Sequence, residues 1–309
     1  MPEIIFHHYA TSPFSEKIRL IFGFKKLAWN SVDVPAIMPK PNVVALTGGY
    51  RRTPFMQIGA DIYCDTALIA DVLERIAPSP TLYPNSVAGL ARTLAQWADS
   101  TLFWTMITYA FQPVAMPYLL NGLTQDQVKA FGADRAAMRG NAPRMTLPEA
   151  TGALTEYLHR LESMLSVGKP YLLDEQPNIA DFSVYHCLWF LQRAKPVAGI
   201  LDGVPKVQRW MERMTAFGHH DYDKMNVEQA LEIARNSQPV HTEELPWFDA
   251  HGVARDERVV IMPTDYALDP VEGELVISTL DELGVRRVDP QAGTVVVHFP
   301  RIGFQLKRI

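Results

Sequence analysis

The stretch Tyr9-Ala-Thr-Ser-Pro-Phe-Ser-Glu-Lys-Ile-Arg-Leu20 decides how the first part of this chain is read. Before it stands a short apolar run, Ile4-Ile5-Phe6, with the character of a strand. After it, Ile18, Leu20, Ile21 and Phe22 continue as a helical pattern. Ser12 precedes Pro13, and proline suits the first turn of a helix because its missing amide hydrogen would have no partner there anyway. The Ser12 hydroxyl then has two uses. It caps free amides at the helix start, or it donates to a ligand anion held near the same helix end.

Working outward, residues 3–80 alternate strand and helix. Strands are expected over 4–8 and 29–34, with a helix over 15–24 that closes near Gly23. Residues 36–49 read as irregular, with one helical turn. Strands over 54–59 and 61–64 flank the turn Gly59-Ala60, and Leu68, Ile69, Val72, Leu73 and Ile76 give an amphipathic helix over 66–76. The order β-α-β-α-β-β-α is that of a thioredoxin-like domain, residues 1–80. Beyond a proline-rich linker the pattern is helical only, with helices over 87–110, 124–131, 148–165, 178–191, 204–215 and 227–236. An all-helical domain over 86–238 follows from that pattern. Residues 246–309 change character again, with short strands separated by Asp269-Pro270, Asp289-Pro290 and Pro300. They predict a small all-β domain, a barrel or an open sheet.

Composition excludes several classes. Of 309 residues, 48% are apolar and 20% charged, the range of an ordinary globular protein. The net charge of −5 lies in residues 240–309, where seven Lys/Arg face twelve Asp/Glu. Neither part carries the basic footprint of a nucleic-acid partner. No run approaches 18 apolar residues without a charge or a proline, and no basic segment followed by a long apolar run opens the chain. Neither a membrane span nor a signal peptide is expected. Cys64 and Cys187 sit among apolar neighbours and read as reduced core thiols of a cytoplasmic protein. His7 and His8 are adjacent on one strand, face opposite sides and make a poor metal pair. No metal site is expected.

Three pieces in order, Ser12-Pro-Phe-Ser-Glu-Lys-Ile-Arg19, Thr53-Pro54, and Asp65-Thr66 before a helix, are followed by an Asn-x-x-Asp box at 178–181. Over residues 1–238 this pattern resembles the glutathione transferase superfamily. The resemblance implies that Ser12 is the residue which, in theta-, zeta- and omega-like classes, meets the glutathione sulfur. A donor to the charged form lowers the thiol pKa and raises the population of the nucleophilic thiolate. It implies a cis Thr53–Pro54 bond that presents the backbone of Thr53 to the tripeptide. It places the γ-glutamyl end on Asp65 and Thr66, with carboxylate at the helix start and ammonium on Asp65. Arg51, Arg52 or Lys40 would pair the glycyl carboxylate, although a solvated loop charge is the alternative. Asp99 would reach a partner subunit's site in a cytoplasmic homodimer. Phe103, Trp104, Ile107 and Phe111, at three- and four-residue spacing, either line a hydrophobic electrophile pocket or belong to the core.

The chain departs from the family in two places. Leu46-Thr-Gly-Gly-Tyr-Arg-Arg52 replaces the usual second ligand-binding loop, and residues 243–309 match nothing in the family. Within that segment Tyr266-Ala-Leu-Asp-Pro-Val-Glu-Gly273 has the turn residues to link two strands. The segment packs as a third domain, covers the interdomain cleft, extends a dimer contact or binds a partner. Two functions therefore compete: a transferase activating glutathione for a small hydrophobic electrophile, and a non-catalytic binding protein whose β module engages another protein.

Overall fold

The computed structural model describes residues 2–140, 144–248 and 250–309. The first part runs β1 (Ile5–His8), α1 (Pro13–Lys25), β2 (Trp29–Asp33), α2 (Pro41–Thr47), β3 (Phe55–Ile58), β4 (Asp61–Cys64) and α3 (Thr66–Ile76). Ser12 caps α1 and Pro13 opens it. The helix does not close at Gly23 but runs on to Lys26, which ends it at φ 53. Gly23 serves close approach instead: a Cβ there would lie 2.1 Å from the Gly218 carbonyl oxygen. Residues 41–47, expected to hold one turn, form a helix ended by Gly48 at φ 76.

The helical part comprises α4 (Ala88–Trp97), a π-helical turn (Ala98–Leu102), α5 (Phe103–Ala110), α6 (Met116–Leu119), α7 (Gln125–Arg139), α8 (Leu147–Met164), α9 (Ile179–Arg193) and α10 (Pro205–Thr215). Capping boxes start α7, α8 and α9. Helix α9 is apolar almost all round and buried along most of its length, as such a helix must be. Asp181, the acid of its box, also accepts hydrogen bonds from the Leu172 amide and the Trp210 indole at 2.9 Å each. The box thus pins α10 and the preceding loop as well as its own helix.

The chain then returns to the sheet. Strand β5 (Tyr222–Lys224) pairs in parallel with β2. Helix α11 (Val227–Asn236) buries Ala230, Leu231 and Ala234, of which Leu231 and Ala234 share a core with α2 and the C-terminal strands. Residues 222–236 therefore belong to the sheet, and the helical part is shorter than the expected 86–238.

The β-rich tail forms β6 (Arg258–Pro263), β7 (Val271–Ser278), β8 (Glu282–Asp289), β9 (Gly293–Pro300) and β10 (Phe304–Arg308). Of the barrel and the open sheet, the open sheet forms, and apart from a small cluster of Val276, Ile277 and Val296 its core is shared with the first part. The order is β10-β6-β7-β8-β9-β4-β3-β1-β2-β5. Strand β9 joins β4 in parallel, with Asp61 opposite Val296 and Tyr63 opposite His298. The reason is legible in β9: Val295 to Phe299 are all buried, so both faces are covered. Strands of that kind belong inside a sheet, with neighbours on both edges. Phe55, Ile62 and Cys64 then share one core with Val43, Leu46, Val285, Val297 and Phe299. Among the described residues no helix is long and apolar enough to cross a membrane.

Candidate active site

The site is built where α1 and α3 begin, next to the loop before β3. The Ser12 Oγ accepts the Ser15 amide at 3.2 Å, so the residue is a helix cap, and it is only 2% exposed. A hydroxyl that accepts one bond still holds a proton to donate. Asp65 caps α3 through the Ala67 amide at 2.9 Å and sits at φ 76, an uncommon conformation for a side-chain-bearing residue. Burial pushes its carboxyl upward, with Asp99 adding to the push and Arg52 and Lys17 opposing it. Thr66 Oγ1 accepts from the Lys17 Nζ at 3.2 Å, which leaves the hydroxyl proton for an incoming group. The Thr53–Pro54 peptide is cis.

Lys17 was not singled out in the sequence. It is fully buried and donates to Asp99 Oδ2 at 2.6 Å, while Asp99 Oδ1 meets His186 at 2.9 Å. Asp99, expected to reach a partner's site, pairs within its own chain with Lys17 and His186. The available signal was a lysine in the apolar stripe of α1, flanked at helical spacing by Phe14, Ile18 and Ile21. A charge in such a stripe needs a buried partner.

At the other end of the site the expected glycyl partner, Arg51, gives its guanidinium to Asp134 of α7. Arg52 pairs with Asp265, between β6 and β7. Lys40 is the basic group left over. It is 3% exposed and donates to the Arg51 carbonyl and to Thr53 Oγ1, both at 3.2 Å, and no carboxylate reaches it among the described residues. Burial, helped by Arg135 and Arg51 and opposed by Asp134, brings its pKa down to about 8. Tyr9, the phenol of the opening stretch, accepts from Arg135 at 3.4 Å.

The aromatic stripe splits. Phe103 lies against Phe14, two residues after Ser12, with ring centroids 4.7 Å apart. Trp104 stays 37% exposed. Phe103, Ile107 and Phe111 are all partly buried and pack against the helical core, Phe111 also stacking on Phe190.

The two departures from the family pattern meet in space. Tyr50 packs on Phe299 and Phe304, Arg287 donates to the Ala45 carbonyl at 2.5 Å, and Arg52 holds Asp265. A Cβ at Gly48 would lie 2.7 Å from Arg287, and one at Gly49 would lie 2.9 Å from the Pro270 carbonyl. The loop before β3 is shaped to receive the C-terminal sheet. Among the described residues no cluster of three or more His, Cys, Asp or Glu is placed to hold a metal.

Residues 6–81 match the family model described as "Glutathione S-transferase, N-terminal domain", and 104–217 match "Glutathione S-transferase, C-terminal domain". Among curated proteins, none matches the chain. Among solved structures, a GST-like protein from Pseudomonas syringae is 40% identical, with TM-score 0.85, over 100% of both chains. That likeness therefore includes the C-terminal strands. A glutathione S-transferase from Rhodospirillum rubrum is 16% identical with TM-score 0.53, covering 69% of this chain and 88% of its own. FzlA from C. crescentus is 20% identical with TM-score 0.51 over the same shares. These last two share the fold. The chain belongs to the glutathione transferase superfamily.

Proposed function

We propose that the protein is a glutathione transferase that activates the glutathione thiol for attack on a small hydrophobic electrophile. One observation carries this reading. The cleft holds two groups of opposite sign that form no salt bridge among the described residues: the Lys40 ammonium beside Thr53, and the Asp65 carboxylate at the start of α3. Glutathione is a zwitterion of matching polarity. Its glycyl carboxylate meets Lys40, its γ-glutamyl ammonium meets Asp65, and its γ-glutamyl carboxylate meets the Thr66 hydroxyl at the helix N-terminus. Thr53 pairs the backbone between these ends, and Arg51 supports the glycyl end by holding Lys40 in place through its carbonyl. The thiol then lies at Ser12, whose free hydroxyl proton stabilises the thiolate. Phe103 and Trp104 bound the electrophile on its α5 side. From its family we read the protein as a cytoplasmic homodimer, and light scattering on the purified chain tests the dimer.

The test of Ser12 is a titration of enzyme-bound glutathione, followed by the ultraviolet absorbance of the thiolate. Ser12→Ala raises the apparent pKa of the bound thiol by about one to two units, the loss expected for one hydrogen bond to the charged form. An unchanged titration would leave Ser12 a helix cap only.

A further inference from the structure

We propose that Tyr266, carried on the C-terminal sheet, is a specificity-determining residue of the cleft, forming with Trp104 the wall that receives a flat aromatic electrophile. The inference rests on the reading of the cleft as a glutathione transferase site. The loop between β6 and β7 is fixed from three directions. Arg52 donates to Asp265 at 2.6 Å and also to the Tyr266 carbonyl. The Ala267 amide donates to the Met138 carbonyl of α7 at 2.8 Å, and the Pro270 carbonyl lies close against Gly49. Ala267 is buried at φ 46, a conformation kept only where surrounding contacts enforce it. Tyr266 is thus held by the thioredoxin-like part and the helical part together, across the space between them.

What the loop presents is aromatic. A chain of rings starts beside Ser12 and ends at Tyr266: Phe14 to Phe103 at 4.7 Å, Phe103 to Trp104 at 5.1 Å, and Trp104 to Tyr266 at 4.9 Å with planes at 63°. Ring faces and edges at such angles accept a further ring in offset or edge-on contact, which an aliphatic group cannot match. The Tyr266 hydroxyl makes no hydrogen bond among the described residues, and Tyr9, Arg135, Asp134 and Arg51 lie within electrostatic reach of it. Its polar end therefore faces the side of the cleft on which Tyr9 and Arg51 stand. Trp104 supplies one half of this wall and Tyr266 of the tail the other, so the tail belongs to the cleft rather than being an appendage to it.

The experiment uses the full chain as wild type, Tyr266→Ala and Tyr266→Phe. Turnover is compared for 1-chloro-2,4-dinitrobenzene and for iodomethane. In both, the thiolate forms a C–S bond as carbon–halogen breaks and halide leaves with the electron pair. The ratio of kcat/KM, aromatic over aliphatic, falls at least tenfold in Tyr266→Ala and recovers to within threefold in Tyr266→Phe, while glutathione affinity by calorimetry stays within twofold. In parallel, 8-anilinonaphthalene-1-sulfonate is titrated without glutathione, and its affinity weakens at least fivefold in Tyr266→Ala. An unchanged ratio with unchanged dye affinity overturns the proposal, as does a wild type that binds no dye. A wild type that binds the dye at Tyr266 but no glutathione overturns the transferase reading, and with it the assignment of this wall to an electrophile.

Discussion

The two ends of the cleft are held in opposite ways. At the Asp65 end, every supporting group lies within residues 12–186: Thr66 on Lys17, Lys17 on Asp99, Asp99 on His186. At the Lys40 end the support comes from far along the chain, with Gly48, Gly49, Tyr50 and Arg52 packed on or bonded to residues between 265 and 304. In this chain the first end stands without the C-terminal strands, whereas the second leans on them, which ties the loop at 46–52 to the tail.

If the comparison holds, damage to the buried Lys17–Asp99–His186 support of the first end destabilises the fold, and damage at the second end retunes binding. The largest effect is expected from Lys17→Met. It strands Asp99 in the interior, and removing one partner of a buried ion pair typically costs about 3–5 kcal/mol of stability. Urea unfolding measures it, and a loss below about 1 kcal/mol would show that water reaches the pair. Next comes Lys40→Met, which weakens S-methylglutathione binding by about tenfold or more, the worth of a charge-assisted hydrogen bond, with little change in stability. The S-methyl ligand removes the thiol's own titration. Because Lys40 loses its proton as pH rises through about 8, wild-type affinity for this ligand should fall above that pH. Lys40→Arg should remove the part of the fall due to Lys40 and leave only that of the ligand's own ammonium. The same pH profile in both proteins would take Lys40 out of the glycyl site.

The seam between the two parts of the sheet offers a finer test. His298 is buried on β9 between Glu282, 2.6 Å from its Nδ1, and Asp61 of β4, 2.9 Å from its Nε2. Burial alone would lower its pKa, but these two carboxylates more than compensate and raise it above the ordinary histidine value. A raised folded pKa means stability that is complete below the unfolded value of 6.5 and lost as pH rises through the folded one. Thermal midpoints should therefore drop as pH rises above 6.5 in the wild type and lose that component in His298→Gln. Identical pH profiles would show that the seam does not depend on the charge. Smallest is Ser12→Ala, about 1 kcal/mol for a lost cap, which urea unfolding also reads.

The same contrast sets what the sequence revealed. Ser12, Asp65 and Thr66 are legible because capping is local: a hydroxyl or carboxyl before an amphipathic run meets amides two or three residues on. The helix at 66–76 and the box at 178–181 are read the same way. The destinations of Arg51 and Arg52 are not legible, since their partners lie 83 and 213 positions away and a loop arginine carries no periodic signal. The tail's strands are visible one by one, yet their docking on β4 depends on which edge lies open after folding. Only the unbroken burial of Val295 to Phe299, with Val295-Val-Val-His-Phe299 itself nearly all apolar, hints that β9 needs two neighbours. Phe103 and Phe111 show the limit of periodicity: helical spacing puts both on one stripe, but not that one meets Phe14 and the other Phe190.

The central claim is that Asp65 and Thr66 hold the γ-glutamyl end of glutathione, and calorimetry on the wild type and on the double variant Asp65→Ala with Thr66→Ala tests it most directly. Micromolar to millimolar binding is expected of the wild type and none of the double variant, whose circular dichroism stays that of the wild type. Equal binding by both, or no binding by the wild type at millimolar glutathione, would contradict it.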